Sequence, residues 1–183
     1  MKLIRLLIYY LLVIITVYLA SILTVNGATL QEQEEVLLEG RMLCTIFGVR
    51  CTTVIDPSTK VFANTDGTNK ITISSELGNI LTKDELRGVV YHEVGHASLK
   101  HIKKLWFFLT TQPFDEQELR ELRHKHELEA DRFASYVLLV TNQPNELVSA
   151  LKKIVAPEHL DKETKTHPAT TERIRRIEAI KGF

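Results

Sequence analysis

Two histidines and a glutamate at a fixed spacing are the first residues of this sequence that can do chemistry together. His92, Glu93 and His96 stand in the run HEVGH. On a helix, positions i and i+4 share one face, so both imidazoles can reach the same metal ion. Two imidazoles, one carboxylate and an open fourth position suit zinc, and Glu93 can act on a water there as general base. The run therefore predicts a site for one Zn²⁺ per chain. The alternative is a surface helix with incidental histidines.

The third metal ligand is expected in a second acidic motif, the run ELEAD at residues 127–131. Glu127 and Asp131 lie one helical turn apart, and the small side chain of Ala130 lets another element approach that face of the helix. A histidine bound to zinc usually donates its second N–H to a carboxylate, which fixes the imidazole tautomer. We therefore expect Glu127 to bind the metal and Asp131 to orient one of the ligating histidines. Other acids remain open as the third ligand: Glu118, Glu121, Glu129 and Asp131.

Together these motifs resemble those of the HtpX and CAAX prenyl protease family of zinc metallopeptidases. The similarity extends over residues 30–180 and includes several further stretches: KITIS at 70–74, LTKDEL at 81–86, His101, THP at 166–168 and RI at 173–174. Members of that family carry several membrane helices, whereas this sequence has one clear apolar span. The sequence therefore resembles a compact, single-domain member.

The resemblance implies a zincin-like (gluzincin) α+β domain that hydrolyses peptide bonds in a peptide, an unfolded protein or a membrane protein. It assigns Glu93 as the base and three residues as zinc ligands: His92, His96 and Glu127. It also places His167 and Arg173 near the cleft, where they would stabilise the oxyanion or hold the peptide backbone. Two other functions are a zinc-stabilised, non-catalytic binding or chaperone-like domain on the same fold, and an interaction protein without metal.

The N-terminal segment is expected to cross a membrane. Residues 6–25 are almost entirely apolar, and as a helix they would span about 30 Å at about 1.5 Å per residue. Lys2 and Arg5 precede the segment, which predicts a cytoplasmic N-terminus and an extracytoplasmic (periplasmic) catalytic domain. The domains are then residues 1–28, as membrane anchor or signal sequence, and residues 29–183, as the zinc metallopeptidase domain. The alternatives are secretion after signal cleavage and a buried core helix.

The elements that must position these motifs occur in the order helix, short sheet and helices, which indicates an α+β fold. Thr82 and Glu85 have the spacing of a capping box and predict the start of the helix that carries HEVGH. Polar and apolar residues alternate at 70–74, as in a half-buried strand, and an exposed edge at 71–74 would hold the peptide by strand addition. The predicted helices are 32–47, 82–101, 115–140, 145–154 and 170–180, and the predicted strands are 49–55, 61–63 and 70–74.

Composition limits the partners of the chain. The 183 residues suit one domain, and 23 basic residues balance 23 acidic ones, which argues against a nucleic-acid partner. The expected partners are instead a peptide or protein substrate and, through residues 6–25, a lipid bilayer.

Three further groups of residues have more than one interpretation. Cys44 and Cys51 flank Gly48, and they can pair in a disulfide if the domain is extracytoplasmic. The segment KHIKKLWFFL at 100–109 either continues the helix into the core or touches lipid. His124 and His126 could be further metal ligands, but their i, i+2 spacing points them to different helix faces and predicts that they face solvent.

Overall fold

The computed structural model describes residues 27–111, 113–155 and 159–180. In these ranges the chain forms mostly helices and one small sheet, which confirms the α+β fold class. The strands are β1 (Thr52–Asp56), β2 (Ala63–Thr65) and β3 (Lys70–Ser74). The helices are α1 (Leu30–Ile46), α2 (Ser75–Ile80), α3 (Lys83–Ser98), α4 (His101–Thr111), α5 (Glu116–Val140), α6 (Glu146–Ile154) and α7 (Thr170–Ile180).

The sheet has β3 at its centre. β3 pairs in parallel with β1 and antiparallel with β2, in the order β1-β3-β2. The prediction that residues 71–74 form an exposed edge is therefore wrong, and Ile71 and Ile73 are fully buried. Alternation of polar and apolar residues reports which face of a strand is buried, but it carries no information about the strand's neighbours. Within the described residues, β2 is the edge strand on the side that faces α3.

Helix α3 begins where the sequence predicted. Thr82 accepts a hydrogen bond from Glu85 N, and the Glu85 side chain accepts one from Thr82 N at 2.9 Å, which completes the capping box. The Glu85 carboxylate also accepts hydrogen bonds from Ser149 Oγ at 2.6 Å and Lys153 Nζ at 2.7 Å. These bonds connect the first turn of α3 to α6. They set the orientation of the helix that carries HEVGH.

A small residue on α3 lets the second acidic helix approach. A Cβ atom at Gly95 would lie only 3.1 Å from Ala130 Cα on α5. Contacts closer than about 3.4 Å are tight for carbon atoms, so a side chain at position 95 would crowd the α5 backbone at this crossing. The close approach brings the α5 carboxylates within reach of the α3 histidines.

The core surrounds α3 on both sides. One cluster joins α3 to the sheet and α1, and a second joins it to α5, α6 and α7. A small third cluster joins Val94 of α3 to Cys44 and Ile71. Leu86, Val90 and Val94 of α3 have no exposed surface, so the helix is anchored along its length. A helix buried in this way holds its histidines in one orientation.

The segment after HEVGH leaves the core. Lys100 has a positive φ of 58°, which ends the predicted helix before His101 and starts α4 in a new direction. Trp106 and Phe107 are 67% and 64% exposed, so the prediction that this segment packs in the core is wrong for its aromatic residues. Sequence periodicity could not show that the helix breaks at Lys100.

Cys44, at the end of α1, and Cys51, before β1, form a disulfide with a Cα–Cα distance of 6.0 Å. Gly48 lies between them with a positive φ of 72°, a conformation that glycine adopts without strain. The turn at Gly48 brings the two thiols together and connects the first helix to the sheet.

The predicted membrane placement requires correction. Among the helices of the described ranges, none is both long enough and apolar enough to cross a bilayer. The single-pass topology with an extracytoplasmic (periplasmic) domain is therefore not supported. Residues 6–25, on which that prediction depended, lie outside the described part of the chain. Hydropathy and flanking charge measure how well one segment suits a bilayer, and they do not by themselves locate the folded domain.

Candidate metal centre

Three side chains from α3 and α5 converge on one point. His92 Nε2 and His96 Nε2 are 3.0 Å apart on adjacent turns of α3. Glu127 of α5 places Oε1 3.3 Å from His96 Nε2 and Oε2 3.4 Å from His92 Nε2. All three ligand atoms lie within 4.8 Å of one another, and among the described residues this group is the one that could hold a metal ion.

The residues present fit a divalent cation. Glu127 Oε2 is buried and accepts no hydrogen bond from the described residues, which is costly for a charged oxygen unless a cation is near. Burial opposes protonation of His92, but the neighbouring carboxylates of Asp131 and Glu127 outweigh it and raise its pKa to about 10. The imidazoles and Arg173 hold the pKa of Glu127 well below its usual range, despite its burial. The site therefore attracts positive charge, and its two imidazoles and one carboxylate match zinc.

A buried ion pair lies behind His92. His92 Nδ1 is 2.8 Å from Asp131 Oδ1, although the ring N–H is not aligned on that oxygen. Arg173 of α7 donates to both Asp131 oxygens, from Nε and Nη2, at 2.7 Å each. Burial favours protonation of Asp131, but Arg173 outweighs it and lowers the pKa to about 2. The carboxylate stays charged, and it occupies the position expected of a group that orients His92.

Arg173 and His167 differ in their exposure to the cleft. His167 is half exposed, and its Nε2 lies 3.5 Å from Glu127 Oε2, at the cleft. Arg173 is buried, its guanidinium is occupied by Asp131, and Nη2 lies 3.6 Å from Glu127 Oε2. The structure therefore brings both predicted residues to the site, with His167 open to the cleft and Arg173 beneath it.

The structure adds a threonine that the sequence analysis missed. Thr65, at the end of β2, donates its hydroxyl to Glu93 Oε2 at 2.7 Å, and the Glu93 backbone oxygen lies at 3.0 Å. A hydroxyl has one hydrogen to donate, and the carboxylate is the nearer acceptor. The turn-rich sequence after β2 carries no signal of this contact, because Thr65 and Glu93 are far apart along the chain.

A second group of side chains, His101, Glu129 and His126, lies behind His96. His101 Nδ1 is 3.0 Å from His96 Nδ1, and His101 Nε2 is 3.0 Å from Glu129 Oε2. His126 is 5% exposed and stacks on His101 with ring centroids 4.3 Å apart, so the prediction that it faces solvent is wrong. Burial lowers the pKa of His101 to about 2, which keeps its ring neutral. His124 is partly exposed, and its Nε2 lies 2.8 Å from the Thr164 backbone oxygen.

The candidate metal-binding group, formed by His92, His96 and Glu127, lies at the side of a cleft of about 620 Å³. His92, Glu93 and Glu127 form its polar wall. Apolar side chains from the β2 region, α3 and α6 form much of the rest, including Phe62, Ala63, Val89, Leu147 and Leu151. A concave cleft of this size, mostly apolar with a few convergent polar groups, is typical of a ligand-binding site.

An α+β domain in which a HExxH helix and a facing glutamate line such a cleft has the architecture of a peptidase. The model of the Peptidase U49 family matches residues 53–181, and the chain belongs to this family. No curated protein matches the sequence. The resemblance to the HtpX and CAAX prenyl protease family is therefore wrong as an assignment. HExxH and E-x-x-A-D are short motifs that reflect the geometry of ligands on helices, so they do not identify one family.

Replacing Arg173 with methionine is expected to reduce the free energy of unfolding by about 3–5 kcal/mol, because it leaves the buried Asp131 carboxylate without its cation. Urea denaturation followed by circular dichroism measures the loss. The control is Arg175→Met on the same helix, which removes an exposed pair with Glu172 and should change little. Equal stability of the Arg173 and Arg175 variants would show that the buried pair does not hold α7 in place.

Proposed function

We propose that the chain is a zinc-dependent endopeptidase in which Glu93 is the general base. The observation that carries this proposal is the convergence of His92, His96 and Glu127, of which His92 and Glu127 line the same cleft as Glu93. Membership of a peptidase family supports the hydrolytic activity. The donor set supports zinc, since two imidazoles and a carboxylate leave a fourth position open.

Each residue around the site has a separate role in peptide hydrolysis. When bound, zinc supplies Lewis-acid polarisation of a carbonyl and makes water acidic near neutral pH. Glu93 accepts the proton from the attacking water and passes it to the leaving amine, while the Thr65 hydroxyl holds its carboxylate in place. Asp131, itself held by Arg173, keeps the His92 ring oriented. His167 is open to the cleft beside Glu127 and stabilises the oxyanion with its ring N–H.

The substrate is a polypeptide in extended conformation. β2 is the edge strand next to the cleft, and residues 61–63 line its wall. An extended peptide that pairs with this edge passes in front of Glu93, with backbone hydrogen bonds supplying affinity. Strand addition is therefore proposed at β2 and not at residues 71–74, which form the central strand. The apolar lining favours substrates with a large apolar side chain near the cleaved bond.

A chelation experiment on the full chain tests the proposal. Cleavage of fluorescein-labelled casein should stop with 1,10-phenanthroline and return when zinc is added back. Cleavage that continues in chelator-treated, zinc-free protein would contradict a metallopeptidase. Stoichiometric zinc without cleavage of any substrate in a diverse peptide library would instead support the non-catalytic, zinc-stabilised domain.

Replacing Thr65 with valine is expected to lower kcat by about 10–100-fold, since a hydrogen bond to a charged group contributes about 1.5–3 kcal/mol. KM should change little, because Thr65 contacts Glu93 and not the substrate. Thr65→Ser keeps the hydroxyl and should recover most of the activity. Steady-state kinetics on a fluorogenic peptide separate the two constants, and equal kcat values for the valine and serine variants would remove Thr65 from the mechanism.

A further inference from the structure

A line of three side chains runs from the metal-binding group to the surface. His96 of α3 faces His101, the first residue of α4, and His101 faces Glu129 of α5. Both contacts measure 3.0 Å. His101 is 1% exposed, and Glu129 is partly exposed at the other end. Three different helices therefore meet in one continuous row of polar groups.

The positions of the protons in this row follow from the donor set. Two Nδ1 atoms, of His96 and His101, face each other, so one of them must carry a hydrogen and the other must accept it. If His96 binds a metal through Nε2, its neutral ring carries the hydrogen on Nδ1. His101 then accepts at Nδ1 and carries its own hydrogen on Nε2, which points at the Glu129 carboxylate. Each hydrogen bond then has one donor and one acceptor, and donation runs from His96 through His101 to Glu129.

We propose that His101 and Glu129 are positioning residues that fix the tautomer and the orientation of His96 as a metal ligand. The proposal rests on the proposed zinc peptidase function. It gives His96 the same kind of support that Asp131 supplies to His92, but through a histidine and a carboxylate in series. Partners of this kind strengthen the ligand and hold its ring against rotation, and their loss usually weakens metal binding about 10–100-fold.

Packing around His101 is consistent with this role. The ring of His126 lies parallel to that of His101, with an interplanar angle of 7°. The stacked ring prevents His101 from tilting away from the line between His96 and Glu129. Glu129 also lies 3.9 Å from Lys125 Nζ, but Lys125 is 69% exposed and such a pair contributes little. The Glu129 carboxylate is therefore held mainly by His101.

Two substitutions in the full chain test the proposal, and a third is the control. His101→Phe keeps an aromatic ring against His126 but removes both hydrogen bonds. Glu129→Ala removes the terminal carboxylate from a partly exposed site, so it is not expected to affect folding. Lys125→Ala removes the exposed ion pair of Glu129 and leaves the contact with His101 in place. Zinc Kd is measured by competition with a chromophoric chelator, and the visible absorption of the Co²⁺-substituted protein reports ligand geometry.

We expect zinc Kd to rise about 10–100-fold for His101→Phe and about tenfold for Glu129→Ala, with Lys125→Ala within about twofold of the parent. The Co²⁺ spectrum should change in the first two variants and not in the third. If His101→Phe does not fold, Glu129→Ala decides alone. Unchanged zinc affinity and Co²⁺ spectrum in a folded Glu129→Ala variant would overturn the positioning role while leaving the peptidase proposal intact. A parent protein that binds no zinc would overturn both.

Discussion

Replacing Glu93 with glutamine is expected to reduce peptide cleavage by about 10²–10⁴-fold, the contribution that a general base makes. Glutamine keeps the length of the side chain and an oxygen near the Thr65 hydroxyl, but it cannot accept the proton of the attacking water. The variant should still contain one zinc per chain, because Glu93 is not among the three converging ligands. Hydrolysis of a fluorogenic peptide and elemental analysis of the same sample measure both quantities.

A matched control separates this effect from a change of charge at the cleft. Glu163 also lines the cleft, but it is exposed and contacts Arg120 rather than the metal-binding group. Glu163→Gln should keep most of the parent's activity. Near-normal cleavage by a pure Glu93→Gln protein with full zinc content would exclude Glu93 as the base.

Replacing Glu127 with alanine is expected to weaken zinc binding by more than about 100-fold, since losing a group behind a ligand already costs about 10–100-fold. The substitution removes the single carboxylate that faces both imidazoles. Zinc per chain should fall well below one after dialysis against a weak chelator, and cleavage should fall with it. Elemental analysis after dialysis measures the loss.

Glu118→Ala on the same helix serves as the control for the Glu127 substitution. Glu118 was an alternative third ligand in the sequence, but the structure places it in the capping box at the start of α5. This variant should keep one zinc per chain, with at most a small loss of stability from the helix start. A Glu127→Ala protein that retains one zinc would move the third ligand to another side chain.

Local sequence patterns predicted helix α3 and the placement of its histidines well. The Thr82–Glu85 capping box forms as expected, and His92 and His96 lie on one face of α3. Helix α5 begins at Glu116, with Asp115 as its cap, within one residue of the predicted start at 115. These features depend on residues within one or two helical turns, so chain geometry alone determines them.

The family assignment and the strand order, which depend on the whole chain, were predicted less well. The motifs at 92–96 and 127–131 resembled one peptidase family, but the chain belongs to Peptidase U49. A short motif reflects the demands of a metal on a helix and leaves the rest of the fold free to differ. The edge strand was also misplaced, because strand order depends on pairing between distant segments.

The sequence by itself determined that two imidazoles would stand on one face of a capped helix with a carboxylate beside them, since these positions are a few residues apart. Only the tertiary structure decided which acids meet them. Glu127 reaches His92 because Gly95 lets α5 approach α3 closely. Thr65 meets Glu93, and Glu129 meets His101, across 28 residues of sequence in each case. Contacts of that separation arise from the packing of whole elements, and no local pattern of residue types encodes them.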